Sequence, residues 1–161
     1  MIDRPFFLSN EVCLSPLNLY VVGQYREWFN NSELPAGSLE LPKTETQVQD
    51  WLIKITRSSR NKHFSILIKG KNIGHIGLKE IDRTNKKATL DLFLVDPSFW
   101  ESNLAKGIFN WLKFFARSRL GLKKIYINRG FHRNRTLTRF LTPSGFVEDD
   151  QGESLAFWVD L

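Results

Sequence analysis

Asp91, Glu80 and His75 are the side chains whose types and places suit proton handling. A carboxylate or an imidazole within hydrogen-bond reach of a nucleophile can take its proton. A second feature is the segment Ser102, Asn103, Leu104, Ala105, Lys106. It stands at the start of a helical pattern, where free N–H groups and a partial positive charge favour an anion. Asn103 tolerates the positive φ that a loop wrapped around an anion requires. Lys106 adds a cation, and Glu101 opposes it. From Lys106 to Arg139 the chain carries Lys and Arg but no Asp or Glu. Such a field attracts nucleic acid, an anionic surface or a phosphorylated small molecule, or it is a solvated basic face.

Other chemistries lack their residues. The three histidines are scattered without ligand spacing, so no metal site is expected. No Gly-x-Ser-x-Gly elbow supports Ser-His-Asp catalysis. The single Cys13 excludes an internal disulfide framework and a cysteine-rich zinc site.

The elements that would hold these residues follow from periodicity. Glu11 to Leu17 reads as a first strand, and Leu19 to Phe29 as a helix through Val21, Val22, Tyr25, Trp28 and Phe29. Asn30 to Lys43, with Pro35, Gly37 and Pro42, reads as a loop inside the domain. Thr44 to Gln47 fits a capping box, and Val48, Trp51, Leu52 and Ile55 then form one stripe. Strands follow around Phe64–Ile68, Ile73–Ile81 and Ala88–Val95, joined by turns at Lys69–Asn72 and Asp82–Lys86. In the last of these, Leu90, Leu92 and Leu94 share one face, and Thr89, Asp91, Phe93 and Val95 the other. Apolar residues on both faces predict a sheet covered on both sides. Ser102 to Leu120 is the longest helix, with Leu104, Ile108, Trp111, Leu112 and Phe115 inward and Gly121 as its stop. A strand at Lys123–Asn128, a short helix at Leu137–Leu141 and strands at Phe146–Val147 and Leu155–Val159 close the chain. The crossover through the long helix predicts that Lys123–Asn128 runs parallel to Ala88–Val95.

At 161 residues the chain is the length of one domain, residues 1–161, large enough to hide about 70% of its unfolded surface. It is 42% hydrophobic, 25% charged and 13% aromatic, which excludes intrinsic disorder. No apolar run is long enough to span a membrane, and Asp3 and Arg4 precede too short an apolar patch for a signal peptide. A cytoplasmic protein without a membrane partner is expected.

Three segments together resemble the GNAT superfamily of acyl-CoA-dependent N-acetyltransferases, in particular its ribosomal-protein N-terminal branch. They are Tyr25-Arg-Glu-Trp-Phe-Asn-Asn31, then Ile73-Gly-His-Ile-Gly77 followed by Ile81-Asp82 and Asn85, and Asn134 with Gly145-Phe146. The order of elements matches over nearly the whole chain. The resemblance implies an α+β fold, a mixed central sheet of about seven strands with about four helices packed on both faces. It implies acetyl-CoA as co-substrate and a small-molecule or peptide amine as acceptor. It places the pantetheine arm at Leu94 and Val95, the pyrophosphate at Ser102 to Lys106, and Asn134 beside the cofactor. Asp91 is then the first candidate base, Glu80 and His75 the next. Two positions depart from the family pattern. Asn103 replaces a Gly of the cofactor loop, although Ala105 fits it and Trp100 stands where members of this branch also carry Trp. Leu141 replaces a Tyr acid, with Thr138 one turn earlier as the substitute.

These departures keep a second reading open, a non-catalytic acyl-CoA-binding or regulatory relative. A nucleic-acid-binding module is the third, weakened by the absence of a recognition motif or stacking platform in the basic stretch. A monomer and a dimer are both compatible with the chain. The aromatics Phe6, Phe7, Trp28, Phe29 and Trp158 are expected in the core before an acceptor pocket.

Overall fold

The structure, a computed structural model, describes residues 4–31, 41–96, 98–99, 102–128, 145–148 and 155–161. Of the side chains of residues 128, 148 and 155–159 only the backbone placement is described. Among the described residues, eight strands form one sheet in the order β1-β2-β3-β4-β5-β6-β8-β7. They are β1 (Phe6–Phe7), β2 (Val12–Pro16), β3 (Lys62–Ile68), β4 (Lys71–Asp82), β5 (Lys87–Leu94), β6 (Lys124–Asn128), β7 (Val147–Glu148) and β8 (Leu155–Asp160). The helices are α1 (Val22–Phe29), after a 3-10 turn at Leu19–Val21, α2 (Glu45–Arg57) and α3 (Asn103–Leu120). The expected mixed α+β sheet is present. Among the described residues its strand count exceeds seven by β1, a two-residue edge pairing. Two residues carry no readable period, which is why β1 left no mark in the sequence. The predicted helix at Leu137–Leu141 lies outside the described residues.

The local reasons are legible. Asn18 accepts from Tyr20 N–H and starts the 3-10 turn, so the predicted first helix begins as a tighter turn. Thr44 accepts the Gln47 N–H, and Gln47 Oε1 accepts the N–H groups of Lys43 and Thr44, completing the capping box. Ser102 caps α3 by accepting from Ala105 N–H at 3.3 Å. Gly121 ends α3 at φ 66°, a left-handed position that glycine adopts without a Cβ clash.

The strand β5 divides two cores. Leu90, Leu92 and Leu94 pack with Ala105, Ile108, Phe109, Leu112 and Phe115 of α3. On the opposite face Phe93 packs against Tyr25, Phe29, Val48 and Leu52 of α1 and α2. Both faces are therefore covered, as the apolar alternation requires. The crossover through α3 makes β6 parallel to β5, and their pairing runs from Lys87↔Lys124 to Thr89↔Tyr126. It stops there, although both strands continue. Among the described residues, β5 from Leu90 to Leu94 has an open edge.

Candidate active site

Asp91 and His75 lie on the α1–α2 face of the sheet, and the fold adds His63 to them. Register explains how. His63 on β3 is opposite Gly77 on β4, and Gly77 is opposite Asp91 on β5. Gly77 has no side chain to fill the middle of that row. A Cβ there would meet Lys62 O and would stand 2.8 Å from His63 Cδ2. The His63 ring lies over the glycine and reaches across a whole strand, placing Nε2 at 2.7 Å from Asp91 Oδ2. His75, two residues along and on the same face, opposite Phe93, places its Nε2 at 3.7 Å from the same oxygen. Its other nitrogen, Nδ1, is 2.7 Å from the Tyr25 hydroxyl. Asp91 Oδ1 accepts the Leu92 N–H at 3.1 Å.

The cluster is buried beneath aromatic rings. Tyr25 and Phe93 stack on His75 at 5.7 Å and 6.1 Å between centroids. Trp51 lies 5.9 Å from it, and Trp28 stacks on Phe93 at 5.9 Å. The imidazole side chains are 1% and 3% exposed, whereas that of Asp91 is 20% exposed and forms the accessible part of the group. Burial opposes ionisation of Asp91, and the hydrogen bonds and charges of His63 and His75 more than offset it, so its carboxyl is held well below the usual range. Burial lowers the His75 pKa against the pull of Asp91 and keeps the ring neutral. Burial, with the Asp91 charge second, raises that of Tyr25, so its hydroxyl keeps its proton.

Glu80 is set apart. It sits at φ 55° where the β4–β5 register shifts, is exposed, and accepts from the Thr89 hydroxyl at 3.1 Å. Three strand residues, roughly 10 Å, separate it from Gly77 in the Asp91 row. Thr138 and Asn134 lie outside the described residues, as do Trp100, Glu101 and Leu141. Phe6 joins Phe64, Trp111 and Phe115 in the α3 core, Phe7 is 75% exposed, and Trp28 and Phe29 sit over the Asp91 face. The Trp158 side chain is outside the described set.

The resemblance expects the acyl-CoA at the open edge of β5 and the start of α3, at Leu94, Val95 and Ser102 to Lys106. Val95 N–H donates to Ile73 O at 3.0 Å. Antiparallel alternation then turns the N–H groups of Leu92 and Leu94 toward the open edge. The Leu94 N–H thus faces the open edge, whereas the Val95 amide is committed to β4. Leu92 N–H is shared with Asp91, which puts the carboxylate beside the same edge. Ala105 N–H at the α3 tip is taken by Ser102, while Asn103 and Lys106 are exposed there. An unpaired strand edge for the amides of a pantetheine arm, next to a helix N-terminus for its pyrophosphate, fits acetyl-CoA.

His63 is the residue that sequence reasoning missed. Its signal is Gly77, the second glycine of Ile73-Gly-His-Ile-Gly77, which opens the row between His63 and Asp91.

The comparisons agree with this geometry. The sequence model described as "Acetyltransferase (GNAT) family" matches residues 24–146. No curated protein matches the chain. Among solved structures, a spermidine N-acetyltransferase from Vibrio cholerae in complex with CoA and spermine is 16% identical, with TM-score 0.76, covering 94% of this chain and 96% of that one. A probable acetyltransferase is 16% identical with TM-score 0.77, covering 98% and 96%. A dodecameric form of the Vibrio cholerae spermidine enzyme is 16% identical with TM-score 0.71, covering 95% and 94%. At such identities these structures speak for the fold, and the family match speaks for the lineage. No helix among the described residues is long and apolar enough to cross a membrane. The chain belongs to the acetyltransferase (GNAT) family and is, by that membership, an acetyl-CoA-dependent N-acetyltransferase.

Proposed function

We propose that the chain transfers an acetyl group to the primary amine of an acceptor carrying one reactive ammonium, such as a peptide N-terminus or an amino-bearing small molecule, with Asp91 as the residue that receives that amine. The observation that carries this is the place of Asp91. It is an anionic, partly exposed carboxylate beside the open edge of β5, fixed from both sides by His63 and His75. Acetyl-CoA supplies the acetyl thioester. Leu94 N–H, facing that edge, is the donor for the acyl carbonyl, and the first turn of α3 with Lys106 holds the diphosphate. Ser102, Asn103, Leu104 and Ala105 line that turn.

The low pKa of Asp91 shapes its part. It binds the incoming ammonium and orients it toward the open edge. The ammonium gives its proton to solvent, the freed nitrogen lone pair attacks the thioester carbonyl, the C–S bond breaks, and CoA leaves as a thiol after taking a proton from water. His63 and His75 are positioning residues, because they fix the carboxylate and keep it charged. Trp28 and Phe93 supply apolar surface beside it.

The ribosomal-protein N-terminal branch suggested by the three sequence segments fits a single-ammonium acceptor. A polyamine, as in the Vibrio cholerae structure with spermine, is the second reading. It is disfavoured by charge. The chain is +6, and such a field repels a polycation.

The test is release of CoA thiol from acetyl-CoA in the presence of peptides with free N-termini, amino sugars and spermidine. Turnover with a mono-amine above that with spermidine is expected. Asp91→Asn should lower kcat about 100-fold while the protein still binds acetyl-CoA. Saturable acetyl-CoA binding with no thiol release from any acceptor would instead establish a binding or regulatory relative. Unchanged kcat in Asp91→Asn would remove Asp91 from the reaction.

A further inference from the structure

We infer that His63 Nε2, His75 Nε2 and Asp91 Oδ2 form a binding site for one divalent transition-metal ion, with zinc the best fit. Each of the three residues offers a ligand atom within 4.8 Å of those of the other two. Zinc binds imidazole and carboxylate ligands at about 2.0–2.2 Å, so donors in a tetrahedral set stand roughly 3.3 Å apart. The two separations from Asp91 Oδ2, 2.7 Å and 3.7 Å, fall on either side of that value. Small rotations of the two rings would bring the set to it.

Two of the three atoms that do not converge are held by other groups, as a metal site requires. The Tyr25 hydroxyl meets His75 Nδ1 at 2.7 Å, and the Leu92 N–H meets Asp91 Oδ1 at 3.1 Å. Tyr25 keeps its hydroxyl proton, and its oxygen accepts a hydrogen bond from the Nδ1–H when His75 turns its Nε2 lone pair to the ion. His63 changes tautomer. The proton that its Nε2 gives to Asp91 moves to Nδ1, a buried atom with no hydrogen-bond partner. Two neutral imidazoles and one carboxylate leave the bound site with a single positive charge. Imidazole donors suit zinc or cobalt and disfavour magnesium and calcium, which prefer oxygen ligands. The fourth position opens on the side where Asp91 is 20% exposed, and water or substrate would take it.

The ion would occupy the Asp91 oxygen that the proposed function assigns to the amine. Zinc is therefore an inhibitor competing with the acceptor. That consequence rests on the reading of Asp91 given above, whereas the binding does not.

The full chain, without acyl donor or acceptor, is titrated with Co2+ and followed by visible absorption, and with Zn2+ by calorimetry. One equivalent of Co2+ with the intense bands of a tetrahedral ion is expected, displaced by Zn2+. His63→Gln and His75→Gln should each abolish those bands, with circular dichroism confirming the fold. Asp91→Asn, which keeps shape and hydrogen bonding, covers the case in which a histidine variant does not fold, and should also abolish them. Tyr25→Phe, which removes only the outer hydrogen bond, should weaken binding about tenfold. No stoichiometric uptake, or tetrahedral bands surviving in Asp91→Asn and in the histidine variants, overturns the site. Uptake that leaves acetyl transfer unaffected upholds the site and overturns the placement of Asp91 beside the amine.

Discussion

One strand, β5, faces two different interiors. Toward α3 it offers Leu90, Leu92 and Leu94, which join Ile108, Leu112 and Phe115 in one apolar cluster. Toward α1 and α2 it offers Asp91 and Phe93 to His63, His75, Tyr25 and a ring of aromatic side chains. The α3 side gains stability simply by excluding water. On the α1–α2 side, buried polar groups cost free energy unless each finds a partner, so their presence there marks chemistry. The difference teaches that the sheet separates its scaffold from its site by the two-residue period of a strand.

Substitutions on the two faces should separate accordingly. Leu112→Ala removes a fully buried side chain from the α3 face and should cost about 3 kcal/mol, read by urea denaturation. Its kcat should hold wherever the protein remains folded. A large loss of kcat in folded Leu112→Ala would break the separation, just as an unaltered kcat in Asp91→Asn would.

A smaller effect follows from pH. The folded-state pKa of His75 lies below its ordinary value, so the unfolded chain binds the proton first as pH falls. Stability is then fully present above about pH 6.5 and is lost as pH drops toward the folded pKa, by at most about 1.4 kcal/mol per pH unit. His63, Asp91 and Lys79 are the charged or titratable neighbours that set the lower end. Asp91, also depressed, adds to the same loss only below about pH 4. Denaturation curves from pH 7.5 to 5 should therefore be less steep in pH for His75→Gln than for the wild type. Parallel slopes would mean that His75 titrates in the folded protein as it does in the unfolded chain.

The smallest effect concerns the way α1 and α2 are held over the site. Asn30 Nδ2 donates to Arg26 O at 2.7 Å and to Lys43 O at 2.8 Å, tying the end of α1 to the approach to α2. Thr44→Ala removes one half of the neighbouring capping box and should cost about 1 kcal/mol, measured by thermal unfolding, with the α3 face untouched. A much larger loss would show that the two faces are more tightly coupled than their separate cores suggest.

Most of the fold was legible before the structure. The capping box at Thr44, the stripe of Val48 and Leu52, the Leu90–Leu92–Leu94 alternation and the glycine stop of α3 are local signals, each spanning a few residues. The parallel β6 followed from the handedness of the crossover through α3. The short edge β1 did not show, and the first turn before α1 is a 3-10 turn that begins at the Asn18 cap. The site was legible only in part. Asp91 stood first by type and by strand, with Glu80 and His75 behind it, and Glu80 proved to sit where the β4–β5 register shifts. His63 did not stand out by itself, because its partner is 28 residues away in the chain and the cue lay in Gly77 between them.

The residues alone determined which segments form strands and helices, which side chains each strand turns to either face, and the family to which the pattern belongs, because period, capping and turn chemistry act over short distances. Tertiary structure decided that β5 and β6 part after Thr89 and Tyr126, and that His63 lies over Gly77 to grip Asp91. Both depend on register between strands, which follows from packing the whole sheet between two layers of helix and is written in no single stretch of sequence.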